Sequence, residues 1–520
     1  MASKQKKVIK TVQLSKVKSG VCVDNKTMGI AALMAQSGVH FGTSGVRGRV
    51  VDMTDEVCWV YAAGFIQYLQ AKQQITEGDT IAIAGDLRSS TDRMMTVLAQ
   101  AIVDQGYVPV NLGAIPSPAI ALYGLEHGIA TMMVTGSHIP EDRNGIKFNT
   151  ASGEILKEDE AGIRNQVVTY PEDKFTPAGL LPVVADLPAV NSAANQRYIQ
   201  RYIDFLPPKA LKGLSIGLYE HSSVSRECLY EILTGLGARV MPLGRSDAFI
   251  SVDTEAIRPE DVALAAQWSK EYGFDCIIST DGDGDRPLIS DEKGVWLRGD
   301  VAGILCAQYL EADAVITPVN CNSALELSNW FNYTQRTQIG SPFVIAGMVE
   351  AEASYENVIG YEANGGVLVG SEIVKSGRRL TALPTRDAAI VPLAILMLAK
   401  ERGLTISALL ETLPERYTIS NRLKDFPTER STQILSPFLT LPLEESLEKA
   451  EQLVGELAGV PVALNTTDGV RLTFESGDII HFRPSGNAPE LRCYTESATE
   501  SRAVALNTSC IALMESWRVE

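Results

Sequence analysis

Three aspartates alternate with glycines at Asp281, Asp283 and Asp285, and Arg286 follows them directly. The stretch before them, 275–280, is mostly apolar and is typical of a buried strand. Carboxylate oxygens are hard ligands, and glycines let the chain turn so that several oxygens reach one cation. The spacing therefore predicts that this acidic loop, residues 281–286, binds Mg²⁺ or Ca²⁺.

An EF-hand and a solvated acidic turn are the alternatives for the acidic loop. Glu292 stands at the twelfth position counted from Asp281, as in an EF-hand, but Arg286 and Pro287 take positions where that motif needs a glycine and a carbonyl ligand. The segment before the loop is also a predicted strand, whereas an EF-hand has a helix there. Solvated acidic turns, for their part, seldom place acids at strict two-residue spacing after a buried strand.

A candidate nucleophile, Ser137, lies in the serine loop, residues 135–140, directly after the apolar stretch 130–134. Open α/β sheets place reactive groups on loops at the carboxyl ends of their strands. Taken alone, a serine in this position more often caps a helix. No Gly-x-Ser-x-Gly elbow surrounds Ser137, which disfavours a hydrolase of that type.

Two further loops carry the residue types that bind phosphate. The first loop, residues 42–48, combines glycines and hydroxyl side chains with Arg47, whose guanidinium can hold a phosphate through two hydrogen bonds. In the last loop, residues 483–492, two arginines bracket the hydroxyl of Ser485, the amide of Asn487 and backbone N–H groups. The last loop lacks the Gly-Lys-Ser/Thr of a Walker motif. For both stretches an ordinary structural loop is the alternative.

The glutamate loop, residues 362–366, offers Glu362 and Asn364 on a glycine-rich turn. These two side-chain types pair with adjacent sugar hydroxyls, although an ordinary turn is the default for such a stretch taken alone. A cation site, a serine hydroxyl and two arginine-bearing loops together indicate phosphoryl transfer on an anionic substrate. That reaction depends mostly on positioning and on charge neutralisation.

The order of apolar segments predicts the elements that position these loops. Strand-like and helix-like segments alternate over most of the 520 residues, which is the pattern of α/β layers with parallel sheets. At roughly 150 residues per domain, the chain should form three or four domains. The last part changes style and predicts a hairpin over 470–482 and a helix over 499–517, which together form a small α+β unit.

Composition excludes several classes of protein. The chain has 46 basic against 63 acidic residues, a net charge of −17, so we expect no nucleic-acid partner and no membrane-binding face. The longest apolar run, 388–399, contains Pro392 and is shorter than the ~18–20 residues of a membrane span, so it predicts a buried helix. The 8 cysteines show no metal-binding spacing and indicate free thiols in a reducing cytoplasm.

The chain resembles the α-D-phosphohexomutases, the family of phosphoglucomutase, phosphomannomutase and phosphoglucosamine mutase. Its matching stretches occur in the family's order: 42–48, 85–90, 135–138, 144–148, 281–286, 362–366 and 483–487. The resemblance implies four domains around a central cleft, three of them α/β with a shared topology and the last a smaller α+β domain. The implied boundaries are 1–207 with the phosphoserine loop, 208–297 with the metal-binding loop, 298–422 with the sugar-recognition loop and 423–520 with a phosphate-binding loop.

The resemblance also implies a role for each loop. Ser137 would carry a phosphoryl group in the resting enzyme, and Asp281, Asp283 and Asp285 would hold Mg²⁺ together with an oxygen of that phosphoserine. The remaining implied residues are His138 and Lys147 for proton transfer, Arg47 and Arg286 with Thr43 and Ser44 for the reacting phosphate, Glu362 and Asn364 for sugar hydroxyls, and Arg483, Ser485, Gly486, Asn487 and Arg492 for the other phosphate.

The reaction implied is the interconversion of hexose 1-phosphate and hexose 6-phosphate, with mannose or glucose as the hexose. Ser137 would give its phosphate to the free hydroxyl and recover the other one from hexose 1,6-bisphosphate, which is thus intermediate and activator. Phosphoglucosamine mutase and a non-catalytic sugar-phosphate-binding paralogue are the alternatives. The motifs leave open the preferred hexose and the oligomeric state.

Three loops depart from the usual family pattern. In the last loop, Asn487-Ala488 replaces the commoner Thr-Glu and keeps a polar side chain at the first position. In the serine loop, Gly136 and Ile139 replace the usual Ala and Asn. In the glutamate loop, Asn364 and Gly366 replace the usual Ser and His. Differences in the conformation of the serine loop and in the choice of sugar are therefore expected at these four positions of the serine and glutamate loops.

Overall fold

The computed structural model describes residues 24–183, 186–485 and 489–518. The first unit has strands β1 Asn25–Gly29, β2 His40–Phe41, β3 Gly45–Arg49, β4 Thr80–Gly85, β5 Val108–Ala114, β6 Thr131–Val134, β7 Arg143–Thr150, β8 Gly153–Glu154 and β9 Val167–Pro171. Its helices are α1 Ile30–Ser37, α2 Asp55–Ala71, α3 Thr91–Asp104, α4 Ser117–His127, α5 Lys157–Arg164 and α6 Ala193–Phe205, with a 3-10 turn at Glu172–Lys174.

The second and third units continue the alternation of strands and helices. The second contains β10 Ser215–Tyr219, α7 Arg226–Gly235, β11 Arg239–Leu243, α8 Pro259–Tyr272, β12 Cys276–Thr280 and β13 Pro287–Ile289. The third contains α9 Gly299–Tyr309, β14 Ala314–Pro318, α10 Ala324–Leu327, β15 Tyr333–Thr337, α11 Ser341–Ala351, β16 Val358–Tyr361, β17 Val367–Val369, β18 Ile373–Lys375, β19 Arg378–Leu380, β20 Leu383–Asp387, α12 Ile390–Arg402 and α13 Ile406–Leu410.

The last unit contains β21 Tyr417–Leu423, α14 Thr428–Thr440, α15 Leu443–Ala458, β22 Pro461–Asn465, β23 Val470–Phe474, β24 Ile479–Pro484, β25 Leu491–Ser497 and α16 Glu500–Ser516. Its strands form an antiparallel sheet in the order β21-β25-β24-β23-β22, with its own apolar core. The expected hairpin and terminal helix are present, whereas the helices α14 and α15 were not anticipated from the sequence.

The first three units share one strand order. It runs β5-β4-β6-β7 in the first sheet, β11-β10-β12-β13 in the second and β15-β14-β16-β17 in the third. In each case the first three strands are parallel and the fourth is antiparallel. These mixed sheets with helices confirm the predicted α/β fold and its shared topology.

Three of the predicted loops occupy the same place in that strand order. The serine loop, the acidic loop and the glutamate loop each join the third parallel strand to the antiparallel fourth strand. Those third strands, β6, β12 and β16, are buried along their whole length, so each fixes where its loop begins. Repetition of the fold thus presents three loops at equivalent strand ends.

One apolar cluster joins the first three sheets. It includes residues of the first sheet, α6, the second sheet and α12. Helix α12 is the predicted buried helix: its residues 390–399 are buried, and Gly403 ends it in the left-handed conformation. No helix among the described residues has both the length and the apolar character to cross a bilayer. Cysteines in the described part of the chain are buried free thiols, as predicted.

Candidate active site

Ser137 lies where the first sheet faces the acidic loop of the second. Its Oγ donates a hydrogen bond of 2.7 Å to Asp281 Oδ2 and lies 3.4 Å from His138 Nδ1. Its backbone has a positive φ of 55°, which is uncommon for a residue other than glycine. The Thr135 hydroxyl accepts the Ser137 N–H at 2.7 Å and supports this turn. The structure therefore brings the predicted nucleophile to the predicted metal ligands.

Arg88 holds the serine loop in this shape, a role that the sequence did not reveal although Arg88 is part of a family motif. The guanidinium is fully buried in an ion pair with Asp86 and lies 3.9 Å from the Phe249 ring. It donates to the backbone carbonyls of Ser137 at 2.8 Å, Ile139 at 2.6 Å, Pro140 at 2.8 Å and Arg143 at 3.1 Å.

Gly136 is required by the same arginine. A Cβ atom on Gly136 would lie 2.6 Å from Arg88 Cζ, and the carbonyl bonds leave that guanidinium little freedom to move. The glycine that replaces the usual alanine of the family therefore has a steric reason in this chain.

The acidic loop gathers its three carboxylates as the spacing predicts. Ligand atoms of Asp281, Asp283 and Asp285 all lie within 4.8 Å of one another, and the three residues are buried. Within the described part of the chain, the Oδ1 atoms of Asp283 and Asp285 are buried without a hydrogen-bond partner. Hard oxygen atoms so placed fit a divalent cation such as Mg²⁺.

Glu292 lies apart from this cluster. Its carboxylate accepts hydrogen bonds from the hydroxyl and backbone N–H of Ser407. The EF-hand alternative is therefore wrong, because the twelfth residue binds a helix in the third unit.

Lys147 and Ser117 complete the surroundings of the acidic loop. Lys147 Nζ donates to Asp283 Oδ2 and to Asp285 Oδ2, both at 2.6 Å. The Ser117 hydroxyl donates to Asp283 Oδ2 at 2.7 Å. Ser117 begins α4 and was not predicted, because nothing in its local sequence distinguishes it from an ordinary helix start.

The charges of the acidic loop depend on these neighbours. Burial raises the pKa of Asp281 well above its usual value, and the Asp283 and Asp285 carboxylates raise it further. Burial acts in the same direction on Asp283 and Asp285, but Lys147 at both sites and Arg386 at Asp285 bring their pKa values below the usual range. Burial alone would lower the pKa of Lys147, yet the two carboxylates raise it. Lys147 is therefore an ammonium ion.

Several guanidinium groups lie close to the acidic loop and to His138. Loss of hydration, together with the nearby Arg286 and Arg386 guanidiniums, lowers the pKa of Arg47 to about 10. Loss of hydration is also the main reason that the pKa of His138 falls far below its usual value, with Arg286 and Arg47 contributing. His138 is therefore neutral, and the arginines form a concentration of positive charge that favours an anion.

Ser44 and Thr43 of the first loop line the approach to the third unit. Ser44 is buried, and its Oγ lacks a hydrogen-bond partner within the described ranges. A Cβ atom on Gly340 would lie 3.6 Å from Thr43 Cγ2.

The glutamate loop reaches the acidic loop through Arg386, which the sequence analysis missed. Arg386 lies on β20 and donates to Glu362 Oε2 at 3.0 Å and to Asp285 Oδ2 at 2.9 and 3.0 Å. The local signal is a pair of charged residues, Arg386 and Asp387, at the end of a mostly buried strand. Asn364 Oδ1 accepts the Gly366 N–H at 2.9 Å and so closes the loop on itself.

The last loop is tied to the third unit. Arg483 Nε donates to Asp468 Oδ1 at 2.8 Å, and the other oxygen of that carboxylate accepts the Ile339 N–H at 2.9 Å. The Ser485 N–H donates to the Glu490 carbonyl at 2.9 Å. The predicted residues Gly486 and Asn487 lie outside the described residues.

Arg492 of the last loop faces the second unit. Glu255 of that unit lies within electrostatic range of Arg492 and also of Arg286, which follows the acidic loop. The last loop and the acidic loop therefore share one neighbour.

The site brings together a serine, three carboxylates, a lysine and several arginines. This set of side chains is that of an enzyme of phosphoryl transfer. The family model for phosphoglucomutase/phosphomannomutase matches as α/β/α domain I over residues 38–174, domain II over 196–294 and domain III over 298–417. The chain belongs to this phosphoglucomutase/phosphomannomutase family. It is a mutase, that is, an intramolecular phosphotransferase.

Relatives with different activities differ clearly in their sequence identity to this chain. A phosphomannomutase from Salmonella muenchen is 42% identical over 468 residues, covering 90% of this chain and 94% of the relative. One from Sinorhizobium fredii is 42% identical over 481 residues, covering 92% and 99%. A phosphoglucosamine mutase from Clostridium botulinum is 25% identical over 485 residues, covering 89% and 95%.

Solved structures share the fold. A phosphoglucomutase/phosphomannomutase family protein from Burkholderia thailandensis matches with a TM-score of 0.68 at 17% identity, covering 91% of this chain and 96% of its own. Aspergillus fumigatus N-acetylphosphoglucosamine mutase, in complex with GlcNAc-6P and magnesium, matches with a TM-score of 0.55 at 12% identity, covering 94% and 99%.

Proposed function

We propose that the chain interconverts hexose 1-phosphates and hexose 6-phosphates through a phosphorylated Ser137, with mannose phosphates preferred and glucose phosphates also used. The 42% identity to phosphomannomutases, against 25% to a phosphoglucosamine mutase, supports mannose phosphates over glucosamine phosphates as substrates. The observation that carries the proposal is the hydrogen bond of 2.7 Å between Ser137 Oγ and Asp281 in a buried, cation-rich site.

Asp281, Asp283 and Asp285 would hold the metal ion, which we propose to be Mg²⁺. The two buried carboxylate oxygens without hydrogen-bond partners in the described structure support this assignment, and the Aspergillus neighbour was solved with magnesium. When bound, the ion would neutralise charge on the transferring phosphoryl group.

In the forward step the bond between phosphorus and Ser137 Oγ breaks while phosphorus bonds to the free hydroxyl oxygen of the hexose phosphate. That hydroxyl loses a proton and Ser137 Oγ gains one, which restores the serine hydroxyl. His138, whose Nδ1 lies 3.4 Å from Ser137 Oγ, would relay the proton between the two oxygens. The Lys147 ammonium would donate a hydrogen bond where negative charge develops.

Other side chains would bind the two ends of the substrate. Arg47 and Arg286, with Thr43 and Ser44, would hold the reacting phosphate, whereas Glu362 and Asn364 would accept hydrogen bonds from the sugar. The other phosphate would bind the last loop through Arg483, Ser485, Gly486, Asn487 and Arg492.

The product of that step is hexose 1,6-bisphosphate. When it turns over in the site, its other phosphate can return to Ser137 Oγ, which regenerates the phosphoserine and releases the isomeric monophosphate. We therefore propose hexose 1,6-bisphosphate as intermediate and as activator of unphosphorylated enzyme.

A Ser137→Ala variant tests the mechanism. We expect mutase turnover to fall below detection, because the phosphoryl carrier is gone. Intact-mass and peptide analysis should find phosphate on Ser137 of the wild type. Ser152→Ala is the matched control, since Ser152 is exposed and should leave activity unchanged. Full activity in Ser137→Ala would refute the phosphoserine.

A coupled assay tests the substrate. Mannose 1-phosphate, glucose 1-phosphate and glucosamine 1-phosphate should be compared at saturating Mg²⁺. We expect the highest kcat/KM for mannose 1-phosphate. A preference for glucosamine 1-phosphate would favour the alternative, and binding of all three without turnover would favour a non-catalytic paralogue.

We also propose four domains acting in the cytoplasm, with boundaries after residues 207 and 297 and a last boundary near the expected residue 422. The last sheet, which has its own apolar core, includes β21 from Tyr417, so that last boundary should lie just before this strand. The buried free thiols suit a reducing compartment. Limited proteolysis should cut first near these boundaries, and cell fractionation should recover the enzyme with cytoplasmic markers.

A further inference from the structure

One guanidinium, that of Arg386, connects the acidic loop and the glutamate loop. Nη1 donates to Glu362 Oε2 at 3.0 Å, whereas Nε and Nη2 donate to Asp285 Oδ2 at 3.0 and 2.9 Å. The Arg386 side chain is only 3% exposed, so these charge-assisted bonds are shielded from water. Arg386 therefore fixes one oxygen of Glu362 in space.

Arg386 can occupy this position because residue 366 has no side chain. A Cβ atom on Gly366 would lie 2.6, 2.7 and 2.9 Å from Cγ, Cδ and Cβ of Arg386. These atoms are at the base of the arginine side chain, where it cannot bend away easily. The usual family loop has His where this chain has Gly366, and any residue with a Cβ there would collide with Arg386 in its observed position.

The strand that carries Arg386 is anchored on both sides of it. Thr385 Oγ1 donates to the carboxylate of Glu154 in the first unit. The Asp387 carboxylate accepts hydrogen bonds from the hydroxyls of Tyr198, at 2.7 Å, and of Tyr202, both on α6. Arg386 is therefore held in place by its neighbours before any ligand binds.

We propose that Arg386, admitted by Gly366, is a specificity-determining residue that positions Glu362 for a neutral sugar hydroxyl and disfavours an amino sugar. The proposal rests on the proposed function, because it assigns Glu362 to the sugar. A guanidinium beside Glu362 balances the charge of that carboxylate, and like charge repels the ammonium group of glucosamine phosphate. Without Arg386, Glu362 would be an unbalanced anion that attracts such an ammonium.

Three variants test the proposal, with kcat and KM measured for glucose 1-phosphate and glucosamine 1-phosphate, which differ only at C2. Arg386→Gln should lower kcat/KM for glucose 1-phosphate about 10- to 100-fold, the scale of a lost hydrogen bond to a charged group. The ratio of glucosamine to glucose activity should rise about tenfold or more. Gly366→Ala, which retains the arginine but displaces it, should shift the ratio in the same direction, and Arg386→Lys should restore part of it.

Arg379→Gln is the matched control, because Arg379 is a 69%-exposed arginine on the nearby β19. Thermal unfolding identifies any variant that fails to fold, in which case Gly366→Ala and Arg386→Lys carry the test. Folded variants whose ratio and KM stay within twofold of wild type would overturn the proposal.

Calorimetric binding of the same two sugar phosphates separates this proposal from the proposed function. If the wild type binds both but turns over neither, the mutase assignment fails. The variants must then still shift relative affinity toward glucosamine 1-phosphate, and an unchanged affinity ratio would refute the role of Arg386.

Discussion

The acidic loop and the glutamate loop occupy equivalent places in two sheets of the same strand order. They differ in how many carboxylates they carry and in how those negative charges are balanced. The acidic loop brings three carboxylates together and depends on Lys147 and Arg386 from other elements. The glutamate loop has one carboxylate, paired with one arginine, and an asparagine that closes its turn. The shared topology sets where a loop lies, and the balance of charge sets what it can bind.

This difference has an energetic consequence. Buried carboxylates that share a site repel one another, so the acidic loop gains from a cation. The single carboxylate of the glutamate loop is already paired with Arg386, which it shares with Asp285, and the loop is suited to hydroxyl groups. Changes in the acidic loop should therefore act on metal binding, and changes in the glutamate loop on sugar binding.

Among the substitutions that test the difference between the two loops, Asp283→Asn should have the largest effect. It removes an anionic ligand and one of the two carboxylates bound to Lys147. We expect Mg²⁺ affinity to fall at least about 100-fold, since even outer-shell changes cost 10–100-fold. Calorimetric titration of Mg²⁺, with activity measured against Mg²⁺ concentration, checks this.

The same variant has a readout in stability. Mg²⁺ at 100 times its Kd should stabilise the wild type by about 2.7 kcal/mol, because it binds the folded state alone. Asp283→Asn should lose most of that gain, whereas the exposed Asp173→Asn should keep it. Equal stabilisation of all three proteins would argue against a metal site in the acidic loop.

The sequence predicted those parts of the site whose residues are contiguous. Ser137 and the three aspartates stand on short glycine-containing loops after apolar strands, so both their chemistry and their location can be derived locally. Sheet topology then brings the loops together, because all three follow the same strand of a repeated unit.

The sequence did not predict contacts made by single residues from distant strands. Arg386 is 24 positions from Glu362 and 101 from Asp285, and a lone arginine in a strand has no local pattern that announces partners. The same holds for Ser117, 166 positions from Asp283. Helix α14 was missed for a different reason, because Pro437 lies inside it and interrupts the local pattern of a helix.

Acid should lower the stability of the folded protein through His221, which binds the end of β12, the strand before the acidic loop. His221 is buried and donates from Nε2 to the Thr280 carbonyl at 2.8 Å, and burial lowers its pKa to about 4. The unfolded chain takes up the proton near pH 6.5, so stability falls as the pH drops from 6.5 toward 4, by about 3 kcal/mol at most.

His221→Gln tests this acid sensitivity, because glutamine can still donate to the Thr280 carbonyl but does not titrate. The Tm of wild type should fall more steeply than that of the variant between pH 6.5 and 4. His481 of the last sheet has a pKa lowered to about 4, also by burial, and will leave the variant some acid sensitivity. Parallel Tm curves would show that His221 does not contribute.

Asn364→Ala should have the smallest effect and should be confined to the glutamate loop. The variant loses the hydrogen bond of 2.9 Å from the Gly366 N–H, worth about 0.5–1.5 kcal/mol, so KM for hexose phosphate should rise roughly 2- to 13-fold. Asn364→Asp keeps the acceptor oxygen and tests whether closure of the turn is the cause. Mg²⁺ affinity should not change in either variant, because Asn364 contacts none of the three aspartates through the bonds described. A fall in Mg²⁺ affinity as large as that of Asp283→Asn would mean that the two loops act as one unit, coupled through the arginine that they share.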